Sequence, residues 1–264
     1  VNVTLVPEAG TVERWAWDYV STQDLAHKLD PIEPPSCWET LPVPRRITAP
    51  GRPPELQRLD KAPKRVGRSA LQNPRRRAQL FHTFLHHEMQ AAELMAWAIL
   101  AFPGTPRAFR RGLLGICREE LRHLRAYHEH LRTLGAAAAD FPVRDWFWIR
   151  VPQARTPAEF VAVMGLGLEG GNLDHAERYA EWFAAAGDDR AARILQSVGA
   201  DEVRHVRFAA RWFRRFTGSL DFEAWLSHLP APLTPRMLRG HALNRRDRLR
   251  AGMNAAFLDR LAEW

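Results

Sequence analysis

Two pentapeptides in the chain, Glu119-Glu120-Leu121-Arg122-His123 and Asp201-Glu202-Val203-Arg204-His205, share the order acid-Glu-x-Arg-His. A Glu and a His three residues apart lie on one face of a helix, so each pair can grip one metal ion. Each pair also has a further Glu upstream: Glu88 stands 32 residues before Glu120, and Glu169 stands 33 before Glu202. One lone Glu-x-x-His is ordinary on a helix surface. Two with matching flanks, each matched to another Glu, are the ligand set of a dimetal carboxylate site inside a four-helix bundle. The predicted ligands are Glu88, Glu120, His123, Glu169, Glu202 and His205. Four carboxylates and two imidazoles suit iron or manganese better than zinc, which favours four ligands rich in Cys and His. Without metal the four carboxylates repel, and at least one should hold a proton.

The neighbours of these residues suggest supporting roles. Glu119 and Asp201 each share a helix face with an arginine three residues on, Arg122 and Arg204. A metal-bound histidine normally donates its other ring N–H to a carboxylate, which predicts a crossed arrangement, Glu119 to His205 and Asp201 to His123. Surface salt bridges are the plainer reading. Tyr127 lies two turns past Glu120 on the same face, as a hydrogen-bonding or redox residue or as a core tyrosine. His82, His86 and His87 crowd before Glu88, and a helix-surface place is expected for most of them. Glu93 and Asp174 follow Glu88 and Glu169 by five residues, about 140° round the helix, and become alternative ligands only if a π-bulge shifts the register. Gly165, Gly167, Gly170 and Gly171 flank Glu169, and each costs roughly 1 kcal/mol against Ala in a helix. Either close helix packing or a cavity for dioxygen or substrate beside Glu169 and Asn172 must offset that.

The elements that must position these groups follow from punctuation. An antiparallel helix pair of about 14 residues up and 14 back returns the chain to the same height at 1.5 Å per residue. The two halves therefore read as repeated αα-hairpins, and the fold class is all-α. Helix one is predicted from about Pro74 to Ala101, before Pro103-Gly104. Helix two follows from Thr105-Pro106, with Thr105 as cap, to Leu134, with Gly135 after it. A long crossover with Phe141, Trp146, Phe147 and Trp148 leads to helix three, which starts at Thr156-Pro157 and ends near Gly187. Helix four runs from Asp188 or Asp189 to Phe216, with Gly218 beyond. Residues 1–73 are dense in proline, Pro63 included, and are expected to be an ordered arm packed on the bundle. Short helices are placed there near Thr11 to Tyr19 and Thr22 to Leu29, the second capped by Ser21 or Thr22. Residues 74–218 form the bundle, and 219–264 a C-terminal helical extension. That extension ends in one amphipathic helix, Asn244 to Leu261, with Leu249, Met253, Ala256, Phe257 and Leu261 on one face.

Composition sets outer bounds. The 264 residues are 46% hydrophobic, enough for one substantial core. Formal net charge is +8, and Lys28, Lys61 and Lys64 are the only lysines, so the basicity is almost all arginine. A nucleic acid or an anionic substrate is allowed by this, with solvated basic helix faces as the plainer account. Cys37 and Cys117 are too few for a disulfide framework and read as reduced thiols of a cytoplasmic protein. The longest apolar stretch, Ala91 to Phe102, carries Glu93 and is too short to span a bilayer, so no membrane association is expected.

At the paired motifs the chain resembles the ferritin-like di-iron carboxylate superfamily, whose bacterial multicomponent monooxygenases and plant acyl-carrier-protein desaturases carry a similar acid-Glu-x-Arg-His motif. The segments His86 to Trp97, Phe141 to Trp148 and Gly165 to His175 look like an uncharacterised bacterial family of ferritin-like proteins, related in kind to stand-alone di-iron hydroxylases such as the one acting on modified tRNA. The resemblance implies a ferritin-like four-helix bundle with a long crossover between helices two and three. It places Glu88, Glu120 and His123 on one iron and Glu169, Glu202 and His205 on the other, with Glu120 and Glu202 bridging. The expected activity is O2-dependent oxidation of an organic substrate, most simply hydroxylation, with Glu120, Glu202 and Tyr127 at the reacting centre. Its cofactors would be two iron ions, or a manganese–iron pair, with O2 as co-substrate. Electrons would come from an external donor, since no flavin or nicotinamide fingerprint is visible. Asn172, Arg239, Arg245 and Arg246 are candidates for holding the substrate, an anionic group in the arginines' case and tRNA included. Iron handling, peroxide removal and a basic nucleic-acid-binding module are the competing readings; two cysteines cannot build a rubredoxin-type four-Cys iron site.

Overall fold

The structure, a computed structural model, describes residues 6–61 and 66–264. Pro63 and Lys64 of the proline-rich stretch lie outside the described residues. The described residues are helical, with no strand and a single parallel bridge between Arg58 and Val143. Among them no helix is long and apolar enough to cross a membrane. The chain divides into two units, Val1–Pro152 and Gln153–Trp264.

The first unit contains α1 (Val12–Ser21), α2 (Leu25–Leu29), a 3-10 turn (Arg68–Gln72), α3 (Pro74–Ala101), α4 (Arg107–Thr133) and α5 (Trp146–Arg150). α3 and α4 form its central hairpin. α3 begins where the sequence predicts: Asn73 caps it, accepting from the backbone N–H of Arg75 and Arg76, and Pro74 fills the first turn. Every residue from Glu88 to Ala101 is buried, so this helix is surrounded by protein, and any acid in that stretch needs a partner. α4 starts differently from expectation. Thr105 does not cap it; its hydroxyl donates to the Phe102 carbonyl at 2.7 Å and closes the turn out of α3, leaving Pro106 at the cap without a side-chain bond. Asp24, rather than Ser21 or Thr22, caps α2 because Ser21 is still inside α1 and the Thr22 hydroxyl accepts from the Asp24 N–H. Described residues of the arm before α3 lie against the hairpin. Arg45 N–H donates to the Leu100 carbonyl, the Trp97 indole donates to Ile47, and Trp15 stacks on Tyr19 at 5.5 Å.

In the second unit α6 (Pro157–Phe160), a π-helix (Val161–Glu169) and α7 (Gly170–Ala185) follow one another without a break, then α8 (Asp189–Thr217) returns antiparallel to complete a hairpin. Thr156 caps α6 and Asp188 caps α8, as their types predict, and Gly187 and Gly218 take positive φ at the helix ends. The tail carries α9 (Phe222–Ser227), a 3-10 turn (Pro235–Met237), α10 (Arg245–Arg250) and α11 (Ala255–Ala262). The expected single helix from Asn244 to Leu261 is two helices. Gly252, at φ +94°, breaks the helical path between them, so one 3.6-residue period cannot run through both. Leu249 and Ala256 are consequently exposed, while Leu258 joins Met253, Phe257 and Leu261 in the interior.

Candidate metal centre

Each hairpin brings two carboxylates and one imidazole together in its interior. In the first, α3 supplies Glu88 and α4 supplies Glu120 and His123, three residues apart and hence on one face. His123 Nδ1 lies 3.3 Å from Glu88 Oε2 and 3.2 Å from Glu120 Oε2. All three are buried, Glu120 completely. Burial, reinforced by the Glu120 carboxylate, pushes the Glu88 carboxyl well above its usual range. Burial alone would lower His123, but its hydrogen bonds to Glu120 and Glu88 carry it up to about 11. This set of acids calls for a cation or a shared proton at its centre.

The second hairpin repeats the pattern. Glu169 ends the π-helix, and α8 supplies Glu202 and His205, with His205 Nδ1 at 3.1 Å from Glu202 Oε2. All three are again buried. Within each set, one ligand atom from every residue lies within 4.8 Å of the others. Asn172, on the next turn of α7, donates from Nδ2 to Glu202 Oε1 at 2.8 Å. It thus engages a candidate ligand directly and restrains its carboxylate. The repeat places Ala91 at the corresponding position of α3, where no such bond can form.

The flanking acids hold their own arginines. Arg122 lies 3.4 Å from Glu119, and Arg204 lies 2.7 Å from Asp201, each one helical turn along. Tyr127 is buried and packs edge-on against Phe81 at 4.8 Å between ring centroids. His82 and His86 are buried instead of lying on the helix surface, and His87 is half-buried. His82 Nε2 is 2.7 Å from the Ala138 carbonyl, His86 approaches Asp145 at 3.2 Å, and His87 stacks on Phe147. The crossover residues after α4 therefore cover this face of α3.

Glu93 and Asp174, the second acid of each half, serve another purpose. Arg52 from the arm forks onto Glu93, Nη1 to Oε1 at 2.5 Å and Nη2 to Oε2 at 2.8 Å. Lys28 joins at 2.7 Å, and the Trp148 indole donates to Oε2 at 2.7 Å. Burial opposes ionisation of Glu93, and the two cations overcome it, holding the carboxyl below its usual range. Arg52 also donates from Nε to Asp145. Burial raises Asp145, but its bonds to His86 and Arg52 outweigh this and bring it down to about 2. In the second half Arg248 from the tail forks onto Asp174 at 2.9 and 2.7 Å, and the backbone N–H groups of Gly240 and Asn244 complete its shell. Both acids are thus buried anchors for a terminal segment. Sequence reasoning missed Lys28, Arg52, Asp145 and Arg248, because the partners of the two arginines are 41 to 93 residues away and no local pattern marks them.

The glycines around Glu169 are explained by close packing. A Cβ on Gly165 would sit 2.2 Å from the Ala209 Cβ of α8, and one on Gly170 would sit 3.1 Å from the Arg248 guanidinium. The space beside this stretch is filled by α8 and the tail. The remaining predicted substrate residues are held locally: Arg239 bonds the Gly240 carbonyl, Arg245 pairs with Asp259, and Arg246 with Asp247.

No solved structure matches the chain. A Haemophilus influenzae protein described as "Uncharacterized protein" is 28% identical over 171 residues, which cover 62% of this chain and 59% of that protein's length. The family described as Protein of unknown function (DUF455) matches residues 12–259, from α1 into α11 and through all six candidate ligands, and the chain belongs to that family.

Proposed function

We propose that the chain is an O2-dependent di-iron oxidoreductase that hydroxylates an organic substrate. Glu88, Glu120 and His123 would hold one ion and Glu169, Glu202 and His205 the other, in a ferritin-like four-helix bundle built from the two hairpins. The observation that carries this reading is the recurrence, at matched positions of two hairpins, of a buried pair of carboxylates with one imidazole. A pair of +2 ions would neutralise the four carboxylates and remove the need for the proton that burial imposes on Glu88. When bound, such a pair supplies reductive activation of O2. The chain's part is to bind, orient and keep the centre dry. Both histidines turn Nδ1 toward the ligand carboxylates, which sets Nε2 on the far side of the ring. Glu119 and Asp201 are the proposed acceptors there, one for each histidine, and Arg122 and Arg204 steady them. Electrons come from an external donor.

The test is metal content after growth with iron and manganese both supplied, with Mössbauer spectra of the iron-loaded protein. About two metal ions per chain and a coupled pair are expected, and Glu120→Ala and Glu202→Ala should each lose most of the metal while remaining helical. Metal below one ion per chain, unchanged by both substitutions, would sink the proposal. The oxidase step is read separately, as O2 consumption by the reduced protein.

A further inference from the structure

α8 carries Glu202 and His205 on its buried side, and its outer side is a different surface. Arg193, Arg204, Arg207, Arg211, Arg214 and Arg215 are all exposed. At 100° per residue they fall in one stripe about 100° wide, and at 1.5 Å per residue it runs about 33 Å. Gln196, Ser197 and Ala200 occupy the places between, and no acidic residue lies within the stripe.

Apart from Arg204, which pairs with Asp201 at 2.7 Å, the charge of this stripe is left uncompensated by neighbouring acids. On α4 the comparable arginines are neutralised by the arm, Arg110 by Glu13, Arg118 by Glu33 and Arg125 by Asp30. Of the tail's acids, Glu223 and Glu263 pair with Arg260, Asp247 with Arg250 and Asp259 with Arg245 of the tail itself, and Asp221 caps α9. Among the described residues Arg193, Arg211, Arg214 and Arg215 make no ion pair. Arg207 donates to a backbone oxygen, the Arg250 carbonyl, at 2.7 Å.

We propose that this face of α8 binds the phosphate backbone of a nucleic acid. Guanidinium groups bind phosphate oxygens through two parallel N–H bonds and remain charged at any working pH. From Arg204 to Arg214 three- and four-residue steps along the helix space them about 4.5 to 6 Å apart, with Arg193 about 16 Å beyond on the same line, a linear array for a linear array of charges. A stripe one helix wide and about 33 Å long covers roughly 330 Å². That is less than half the area of about 800 Å² that a folded protein partner needs, so a strand fits where a rounded acidic face does not. The inference stands independently of the metal reading.

The experiment is fluorescence anisotropy with a labelled RNA hairpin and a DNA duplex of equal length, titrated with the full chain from about 50 to 200 mM salt, the range over which phosphate contacts weaken steeply. Two variants are compared: Arg207→Gln/Arg211→Gln/Arg214→Gln, and Arg68→Gln/Arg75→Gln/Arg76→Gln, which removes equal charge from exposed residues elsewhere. The wild type should bind with micromolar affinity and a log–log salt slope of about −4 to −5, and the α8 variant should lose about 3 units of that slope. Its affinity should fall at least about tenfold at 100 mM salt, on either probe, with circular dichroism unchanged. Retained binding by the control variant is part of the expected result. Equal loss in both variants would show diffuse attraction to a basic molecule and overturn the proposal. So would absence of binding to both probes, or an α8 variant that binds normally. Loss of electron uptake from an acidic reductase in the α8 variant, without nucleic-acid binding by the wild type, would assign the face to a protein instead.

Discussion

Glu88 and Glu93 sit five residues apart on one helix and meet opposite fates. Glu88 shares its surroundings with Glu120 and a histidine, and burial raises its carboxyl; Glu93 meets Arg52 and Lys28 and is held ionised. The same contrast separates Glu169 from Asp174, which Arg248 clamps. Acids with a matched arginine or lysine are structural, and the acids gathered around a histidine are the ones suited to a metal. The difference can be measured. Arg248→Met leaves Asp174 buried without its guanidinium, which should cost about 3 to 5 kcal/mol. Replacing both members, Arg248→Met with Asp174→Leu, should recover most of that, because a buried pair is expensive to break and cheap to replace. Urea denaturation of the two variants is the check. A single variant as stable as the wild type would remove the anchor role.

At the scale of the element, the π-helix Val161–Glu169 is the feature that separates the second hairpin from the first. A π-helix gains an extra residue within its turns, changes which side chains share a face, and is often found at functional sites. Glu169 is its last residue, so the register of the π segment decides where this carboxylate points. Gly165 lets the segment approach α8 at Ala209. Gly165→Ala should therefore destabilise by about 1 to 3 kcal/mol through overpacking. Adding Ala209→Gly should relieve the clash, less about 1 kcal/mol for glycine inside a helix. Thermal melting of the single and double variants tests this; a neutral Gly165→Ala would show that the close approach is absent. The possibility of a π-bulge could be raised from the spacing of Glu93 and Asp174, but its place could not. Nine residues, Val-Ala-Val-Met-Gly-Leu-Gly-Leu-Glu, are equally compatible with α- and π-turns until a neighbouring helix demands room.

Over the whole molecule, each unit joins one hairpin to one terminal segment, the arm in the first and the tail in the second, and each contributes three of the six proposed ligands. If one dinuclear centre draws on both, metal must couple their unfolding. Calorimetry of the metal-free protein is expected to show two separable transitions, and the iron-loaded protein one, at higher temperature. A hundredfold excess of metal over its dissociation constant adds about 2.7 kcal/mol to the folded state. Loading that leaves both transitions in place would speak against a shared centre.

The sequence by itself determined the local features. Asn73-Pro74, Thr156-Pro157, Asp188, Gly187 and Gly218 are caps and breakers that act within a few residues, so the long helices begin and end close to where their residue types place them. Residue identity and a three-residue spacing likewise put Glu120 with His123 and Glu202 with His205. Tertiary structure decided what depends on distant partners. Arg52 finds its acids 41 and 93 residues away, and Arg248 finds its acid 74 away. Asn172 bonds a carboxylate from another helix, and the crossover buries His82 and His86. Gly252 divides what hydrophobic periodicity alone joined into one helix. Capping and helical periodicity are short-range forces written in adjacent residues; the neutralisation of a buried charge is set by whichever segment the fold delivers beside it, and one sequence read along its length carries no local signature of that pairing.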